Sequence, residues 1–430
     1  MFVAGSTNLY GVNNAEKKDY VEKTYRILAS GSLSLSSENS DVEIFTWDQD
    51  KVKITGEITY ENVNEEDARK LVDAFKNCIE AKALDNSLEL TTNLYKWTIK
   101  KWTWFKSNVV MKLNNGYEIP PGAKIRTTYK LWIPKKLSVT LNSEFGSVNI
   151  ADIKGKVNLT LNKVDLKMGD YGDHGAFDMK FSTATIGNGG SSVFSLSNSK
   201  INVAAIGNTT IDAHYSTINI KKALNVQVKS SSDSFVFGSL NNINATARYS
   251  TFNIEDDAEN SKFDVYNTNI FGKDFKSMEI SATFSKFNTG NIGSVTMLSS
   301  YSNRFESSTI NTITCKDSRY DKFRLGQVSI SAEFNEAQYS EVNIINTGPS
   351  FNLFSGNFKD GGIYIKLDPT IQYTLNYQST YGNIDIQTDR FKSRILSDKN
   401  NPKATFEGAT DSNAKCNIGF TIHSTTVKIE

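Results

Sequence analysis

The chain has 430 residues, with 48 basic and 47 acidic side chains and a formal net charge of +1, so no domain-wide basic field exists to hold nucleic acid. Proline is scarce at 6, and the polar residues are mostly Ser, Thr and Asn, a composition that suits short strands and turns better than helices. No run of about 18 apolar residues occurs, which excludes a helical membrane span.

In chain order, the start MFVAGSTNLYGVNNAEKKDY (1–20) has two readings. One is the tail of a secretory leader, an apolar stretch running into small residues without the charged segment that normally precedes it. The other is a short disordered N-terminus. The leader reading implies export to the periplasm, the cell surface or the medium.

Residues 21–135 read as an N-terminal cap module. Within it Ser40, followed by Val42 and Ile44, shows a small-residue template that recurs later. Asn64-Glu65-Glu66-Asp67 then reads as a helix start, with Asn64 as cap and acids in the first turn. Leu71, Val72, Phe75, Cys78 and Ile79 fall on one face, so the expected helix covers 64–82. Strand-like segments follow at 88–95, 103–113 and 125–134.

In that stretch KWTIKKWTWFK (96–106) holds Trp97, Trp102 and Trp104 among Lys100, Lys101 and other lysines. Aromatic faces stack on sugars and ammonium groups attract anionic surfaces, so these five residues are candidates for glycan or membrane contact. The competing reading, which outweighs it, is an amphipathic cap strand packed on the solenoid end.

From 136 to 430 a period dominates. HYSTINI (214–220) returns as RYSTFNI (248–254), two steps of 17 apart. Anchored on Ser216 and Ser250, the frame runs through Gly146, Val164, Ser182, Ser199 and Asp233. It continues through Asn267, Ser285, Ser302, Asp321, Ser340, Gly361 and Gly382, and loosely to Ala404 and Thr425. With Ser40 this makes 17 frames. Position +2 is apolar in 15, failing at Asn269 and Arg304, and position +4 in 14, failing at Thr289, Glu306 and Gly408. At 38% hydrophobic residues, chance would give about six or seven per column. Each unit also carries an earlier alternating run, such as Val157-Leu159-Leu161. One such unit cannot bury its apolar face alone, whereas stacked coils can.

The expected fold is therefore all-β: a right-handed parallel β-helix with 17–21 residues per coil, an N-terminal cap containing one helix, and irregular final coils with a C-terminal cap over 387–430. A narrow coil must bend sharply, and the small frame residue, Ser216 or Ser250 for example, is expected at the corner.

The segment LWIPKKLSVTLNSEFGSVNIADIKGKVNLTL (131–161) joins a proline-terminated strand, an apolar alternation, Gly-Ser-Val-Asn-Ile and a glycine-containing turn. It resembles the adhesin-like β-strand-repeat families common in Bacteroidetes, including those with a GIN-type head domain. The resemblance covers roughly 125–430. It implies an exported single-stranded β-helix, in a group where "adhesin" is a label by analogy. This chain departs from it in having sparser glycines and the insertion at 61–135, and no functional residues carry over.

DLKMGDYGDHGAFD (165–178) concentrates Asp165, Asp170, Asp173, His174 and Asp178, but its spacing matches no calcium loop, so a solvated turn is expected. Position +3 is repeatedly Asn (149, 202, 219, 253, 288, 343), which predicts a partial outward polar strip. The three cysteines, Cys78, Cys315 and Cys416, have neither disulfide-framework nor metal spacing. Isolated buried thiols are the favoured reading and one long-range disulfide is the alternative. No nucleophile, metalloprotease or phosphate-loop motif appears, and no acid pair stacks in adjacent frames.

The expectation is a non-catalytic, cofactor-free surface or periplasmic scaffold whose partner is a cell-surface glycan or protein. A carbohydrate-active β-helix enzyme or a glycan-binding protein is the alternative, and an envelope-signalling accessory protein is a third.

Overall fold

The computed structural model describes residues 16–84, 86–103, 106–120, 122–396 and 403–430. The chain divides into two compact units, Met1–Val203 and Ala204–Glu430. Parallel coils make up most of both.

In the first unit, strand Lys17–Arg26 pairs antiparallel with Lys51–Glu61, which pairs antiparallel with Lys124–Pro134. Strands Ser32–Glu38 and Asp41–Trp47 form a coil, because both stack in parallel on Ser138–Ile150. The module expected over 21–135 thus contains a coil of its own, around Ser40. The helix runs Glu65–Lys76 and starts at the expected cap: the Asn64 side chain accepts the Asp67 N–H at 2.9 Å. It stops six residues short of the expected 82. Asn77 ends it, its N–H donating to the Asp73 carbonyl, and Ile79–Leu84 then pairs antiparallel with Ser87–Thr92. The helix buries Leu71 and Phe75, and Phe75 stacks on Tyr129 at 6.4 Å. Gly56 permits that approach: a Cβ there would lie 3.0 Å from the Phe75 ring and 2.9 Å from Val21.

The coils carry apolar ladders inside. In the first unit Leu35, Leu141, Leu159, Phe177 and Phe194 are successive register partners. In the second, Phe235 partners Phe252, and Phe287, Phe305 and Phe323 follow one another two coils on. Phe235 and Phe252 stack at 4.6 Å, and all five are essentially buried. Burying each phenylalanine stabilises by about 1.5–3 kcal/mol.

The corners explain the frame residues. Among the described residues, sixteen coil corners each place one residue in the left-handed region, five in the first unit and eleven in the second. The frame residue follows it and is buried, except where it is a glycine (Gly146, Gly361 and Gly382). Except at Ser40, whose hydroxyl bonds that of Ser37, a Ser or Thr there donates its hydroxyl to the carbonyl two residues back, as Ser216 does to His214 and Ser250 to Arg248, at 2.9 and 2.8 Å. The same side chain accepts the N–H of the corner one coil earlier. Val164 donates to Ser182 Oγ, Ser182 to Ser199 Oγ, Asp233 to Ser250 Oγ and Thr268 to Ser285 Oγ. A buried backbone donor left unpaired costs about 1–3 kcal/mol, so a short side chain carrying an oxygen is selected at this position.

This ladder corrects two frames. The left-handed residues are Asn267 and Ser302, so the buried frame residues are Thr268 and Asn303. Shifting both by one residue replaces the failures Asn269 and Arg304 with buried Ile270 and Phe305. Ala404 is not a corner: Lys403–Ala409 pairs antiparallel with Tyr373–Thr380. The Thr425 coil is real but out of order. Cys416–His423 lies between Leu353–Lys359 and Tyr373–Thr380, parallel to both, so the last coil in sequence is inserted before the penultimate one in space. Gly361 accordingly donates its N–H to Thr425 Oγ1.

Candidate functional site

The left-handed corner residue is where a glycine, or an asparagine, costs least. Glycine occupies none of the sixteen corners. Eight are aromatic: Phe145, Phe181, Tyr215, Tyr249, Phe284, Tyr320, Tyr339 and Tyr381. Bulky residues in this region are conformational outliers, and such outliers concentrate where function needs them.

In the second unit the aromatics become continuous. The Asn267 and Ser302 corners carry small residues in the left-handed position, but Tyr266 and Tyr301 stand one place earlier and fill the gap. Tyr249, Tyr266, Phe284, Tyr301, Tyr320 and Tyr339 therefore line six successive coils, with exposures between 38% and 56%. Ring centroids along the row are 5.6, 5.7, 5.5, 5.6 and 4.8 Å apart. Neighbours that alternate between the two corner places meet edge to face, at 68° to 89°. Tyr320 and Tyr339, both in the left-handed place, stack with 5° between planes. Tyr381 makes a similar edge contact with His423 at 5.8 Å. The result is a row of half-exposed aromatic rings in mutual contact, five of the six carrying a hydroxyl.

Beside the row, the first residue after the frame position also falls into register. Asn269, Lys286, Arg304, Lys322 and Glu341 are successive partners on neighbouring strands. Arg304 donates to Glu306 at 2.8 Å, and Lys322 pairs with Glu341 at 3.5 Å.

The sequence-derived candidates fall elsewhere. The backbone of Trp97, Lys100, Lys101 and Trp102 lies in the strand Tyr95–Thr103, paired antiparallel with Lys106–Leu113. Their side chains, and all of Trp104, lie outside the described residues. In the 165–178 segment, Asp165 accepts from Thr183, and Asp170 accepts the Asn188 N–H at 2.7 Å and its amide at 3.0 Å. Those bonds hold the Asp170 carboxyl below its ordinary range. These acids satisfy the next coil's groups. Among the described residues no group of three His, Cys, Asp or Glu side chains converges as a metal site.

The outward asparagines at position +3 do not form one strip, because Asn219, Asn253 and Asn288 are separated in register by Val236 and Phe271. A continuous asparagine ladder exists elsewhere: Asn225 donates to Asn208, Asn242 to Asn225 and Asn260 to Asn242, at 2.6, 2.5 and 2.8 Å. The three cysteines are buried and unbridged, and burial pushes the Cys416 thiol up to about 12.

One expectation is overturned. Acids do stack in adjacent coils: Asp257 and Asp274 are register partners. With Glu259 they line an open groove of about 560 Å³. The pair arises because one extra residue between Ile254 and Asp257 shifts the register, which a fixed frame cannot show. Glu259 is bound by Lys276 at 2.9 Å, and Asp274 accepts from Asn291 at 2.7 Å.

No helix among the described residues is long and apolar enough to cross a membrane. No family model matches the chain, and no curated protein does. Among solved structures it is similar to a putative cell adhesion protein from Clostridium sporogenes, at 10% identity and TM-score 0.14, covering 96% of this chain and 99% of that one. A putative lipid binding protein from Parabacteroides distasonis aligns at 12% identity and TM-score 0.23, over 75% and 98%. A putative adhesin from Parabacteroides merdae aligns at 8% identity and TM-score 0.18, over 74% and 97%. The first and third of these bear adhesion descriptions, of the kind that the 125–430 resemblance implied. At such identities and scores, the functional reading rests on the chain's own residues.

Proposed function

We propose that this chain is a non-catalytic, exported adhesin-type protein that binds glycans along the aromatic row of its second unit. The observation that carries the reading is the row itself: six exposed rings on six successive coils, Tyr249 to Tyr339, several held in a backbone conformation that glycine or asparagine would adopt at lower cost. Rings with apolar faces and hydroxyl rims suit sugars, whose C–H faces stack and whose hydroxyls accept and donate. Neighbouring coils repeat every 4.8 Å or so, a step close to that of one sugar in an extended, equatorially linked chain. A linear glycan laid along the coils would therefore meet a ring at each step.

A glycan and extracellular-matrix binding screen of the purified chain tests this, run beside the Tyr301→Ala/Tyr320→Ala double variant. Binding to one or more glycans that the variant loses by tenfold or more supports the reading. Binding that the variant retains, with an unchanged melting curve, rejects the row as the site.

The Asp257, Glu259 and Asp274 groove favours a second reading, a carbohydrate-active enzyme, since glycoside hydrolysis uses paired carboxylates. Release of reducing ends from any bound glycan, abolished by Asp274→Asn, would decide for it.

A further inference from the structure

We infer that the row takes an acidic linear glycan, one bearing carboxylates, and that Lys286, Arg304 and Lys322 select it. This rests on the glycan reading of the aromatic row and adds the charge of the ligand. The three cations are consecutive register partners on adjacent parallel strands, so they stand one strand spacing apart. Like charges placed side by side across strands repel, and the arrangement lowers stability unless something offsets it. The protein offsets it in part: Glu306 engages Arg304 and Glu341 engages Lys322. Lys286, half-buried, has no ion pair among the described residues.

The placement is as informative as the charge. Lys286 follows Phe284 by two residues, Arg304 follows Tyr301 by three and Lys322 follows Tyr320 by two, with a buried frame residue between in each case. Each cation therefore belongs to the same corner as one ring of the row. The ring rows and cation rows advance together, so a chain seated on the rings presents successive sugars to successive cations. A carboxylate on the sugar rim is the group that three in-register cations recognise. A neutral glycan would leave their repulsion in place, whereas a polyanionic one relieves it on binding. Membrane contact is the competing occupant, because aromatic and basic side chains together also mark lipid surfaces.

The test uses two hexamers of one linkage, cellohexaose and the β-1,4-linked glucuronic acid hexamer, titrated calorimetrically into the full chain at low salt. We expect the acidic hexamer to bind about tenfold more tightly, an advantage that shrinks as salt rises. Lys286→Gln/Lys322→Gln should erase that advantage, so that the two hexamers bind the variant alike, without lowering its melting temperature. Tyr301→Ala/Tyr320→Ala should weaken both hexamers. Equal affinity for the two hexamers, or an advantage that survives the lysine variant, overturns the inference and leaves the glycan reading standing. Binding to phosphatidylserine vesicles with neither hexamer bound overturns both.

Discussion

The corner columns of the two units share a backbone but differ in what they show to solvent. In both, a left-handed residue precedes a frame residue that is buried unless it is glycine, and side-chain oxygens such as those of Ser182 and Ser250 accept the N–H of the preceding corner. In the first unit the left-handed residues are Asn39, Phe145, Lys163, Phe181 and Asn198, and the aromatic ones are interrupted: Lys163 lies over the Phe145 ring at 4.6 Å. In the second, rings follow coil after coil from Tyr249 to Tyr339. The inner column is therefore what coiling demands, wherever a coil occurs. The outer column is unconstrained by coiling, and only the second unit fills it with a continuous chemistry.

The largest effect should come from the interior, which the two columns have in common. Phe305→Ala removes a fully buried ring between Phe287 and Phe323 and should cost about 3–5 kcal/mol in chemical denaturation. A cost below about 1 kcal/mol would mean that this ladder is not packed as described. Next come the frame hydroxyls. Ser250→Ala leaves the Asp233 N–H without its acceptor, and Ser182→Ala does the same to Val164. Each should cost about 1–3 kcal/mol. Similar costs in the two units confirm that the inner column is structural in both. A cost at one serine alone would break the comparison.

Much of this was legible in the chain. The period, the coil around Ser40, the helix cap at Asn64 and the corner role of Ser216 and Ser250 all follow from spacing and residue chemistry. The insertion of 416–430 ahead of 373–386 was not legible, because a register column of apolar residues does not record the spatial order of its coils. Nor were the frames at Thr268 and Asn303, where one added residue moves the corner while the neighbouring residues remain small and polar. The aromatic row was within reach. Tyr215 and Tyr249 sit inside the two echoed heptapeptides, immediately before the serines taken as anchors. Periodicity marks the buried position, not the exposed one beside it. The Asp257–Asp274 pair depends on a bulge, which lengthens the coil by one residue without showing where in the coil that residue sits.

Exchanging outer residues should separate the units. Asn39, Asn198 and Asn267 show that asparagine suits the left-handed corner. Phe181→Asn, at a corner flanked in sequence by those of Lys163 and Asn198, should therefore stabilise by up to about 1 kcal/mol through relief of backbone strain. Tyr320→Asn relieves the same strain but loses ring contacts with Tyr301 and Tyr339, each worth about 0.5–1.5 kcal/mol. Its stability should be unchanged or lower, and its glycan binding should fall. Equal stabilisation by both exchanges would show that the row contributes no cohesion of its own.

The smallest expected effect is a pH dependence within the inner column. Asp233 and Asp321 occupy frame positions, and burial pushes both carboxyls up against the pull of bonds from Ser230 and Ser318. Asp321 accepts the Asn303 N–H at 2.7 Å and the Ser318 hydroxyl at 2.7 Å. A carboxyl whose folded pKa lies above its unfolded one binds its proton more tightly when folded. Its contribution is then fully present below the unfolded value, about 3.9, and is lost as pH rises through the folded value. Asparagine, already present at Asn303, does not titrate. The melting temperature of Asp321→Asn minus that of the parent chain should accordingly be larger at pH 7 than at pH 4. A difference that stays flat between those values would mean that Asp321 is as well solvated as a surface acid, and that the inner column is not sealed at that corner.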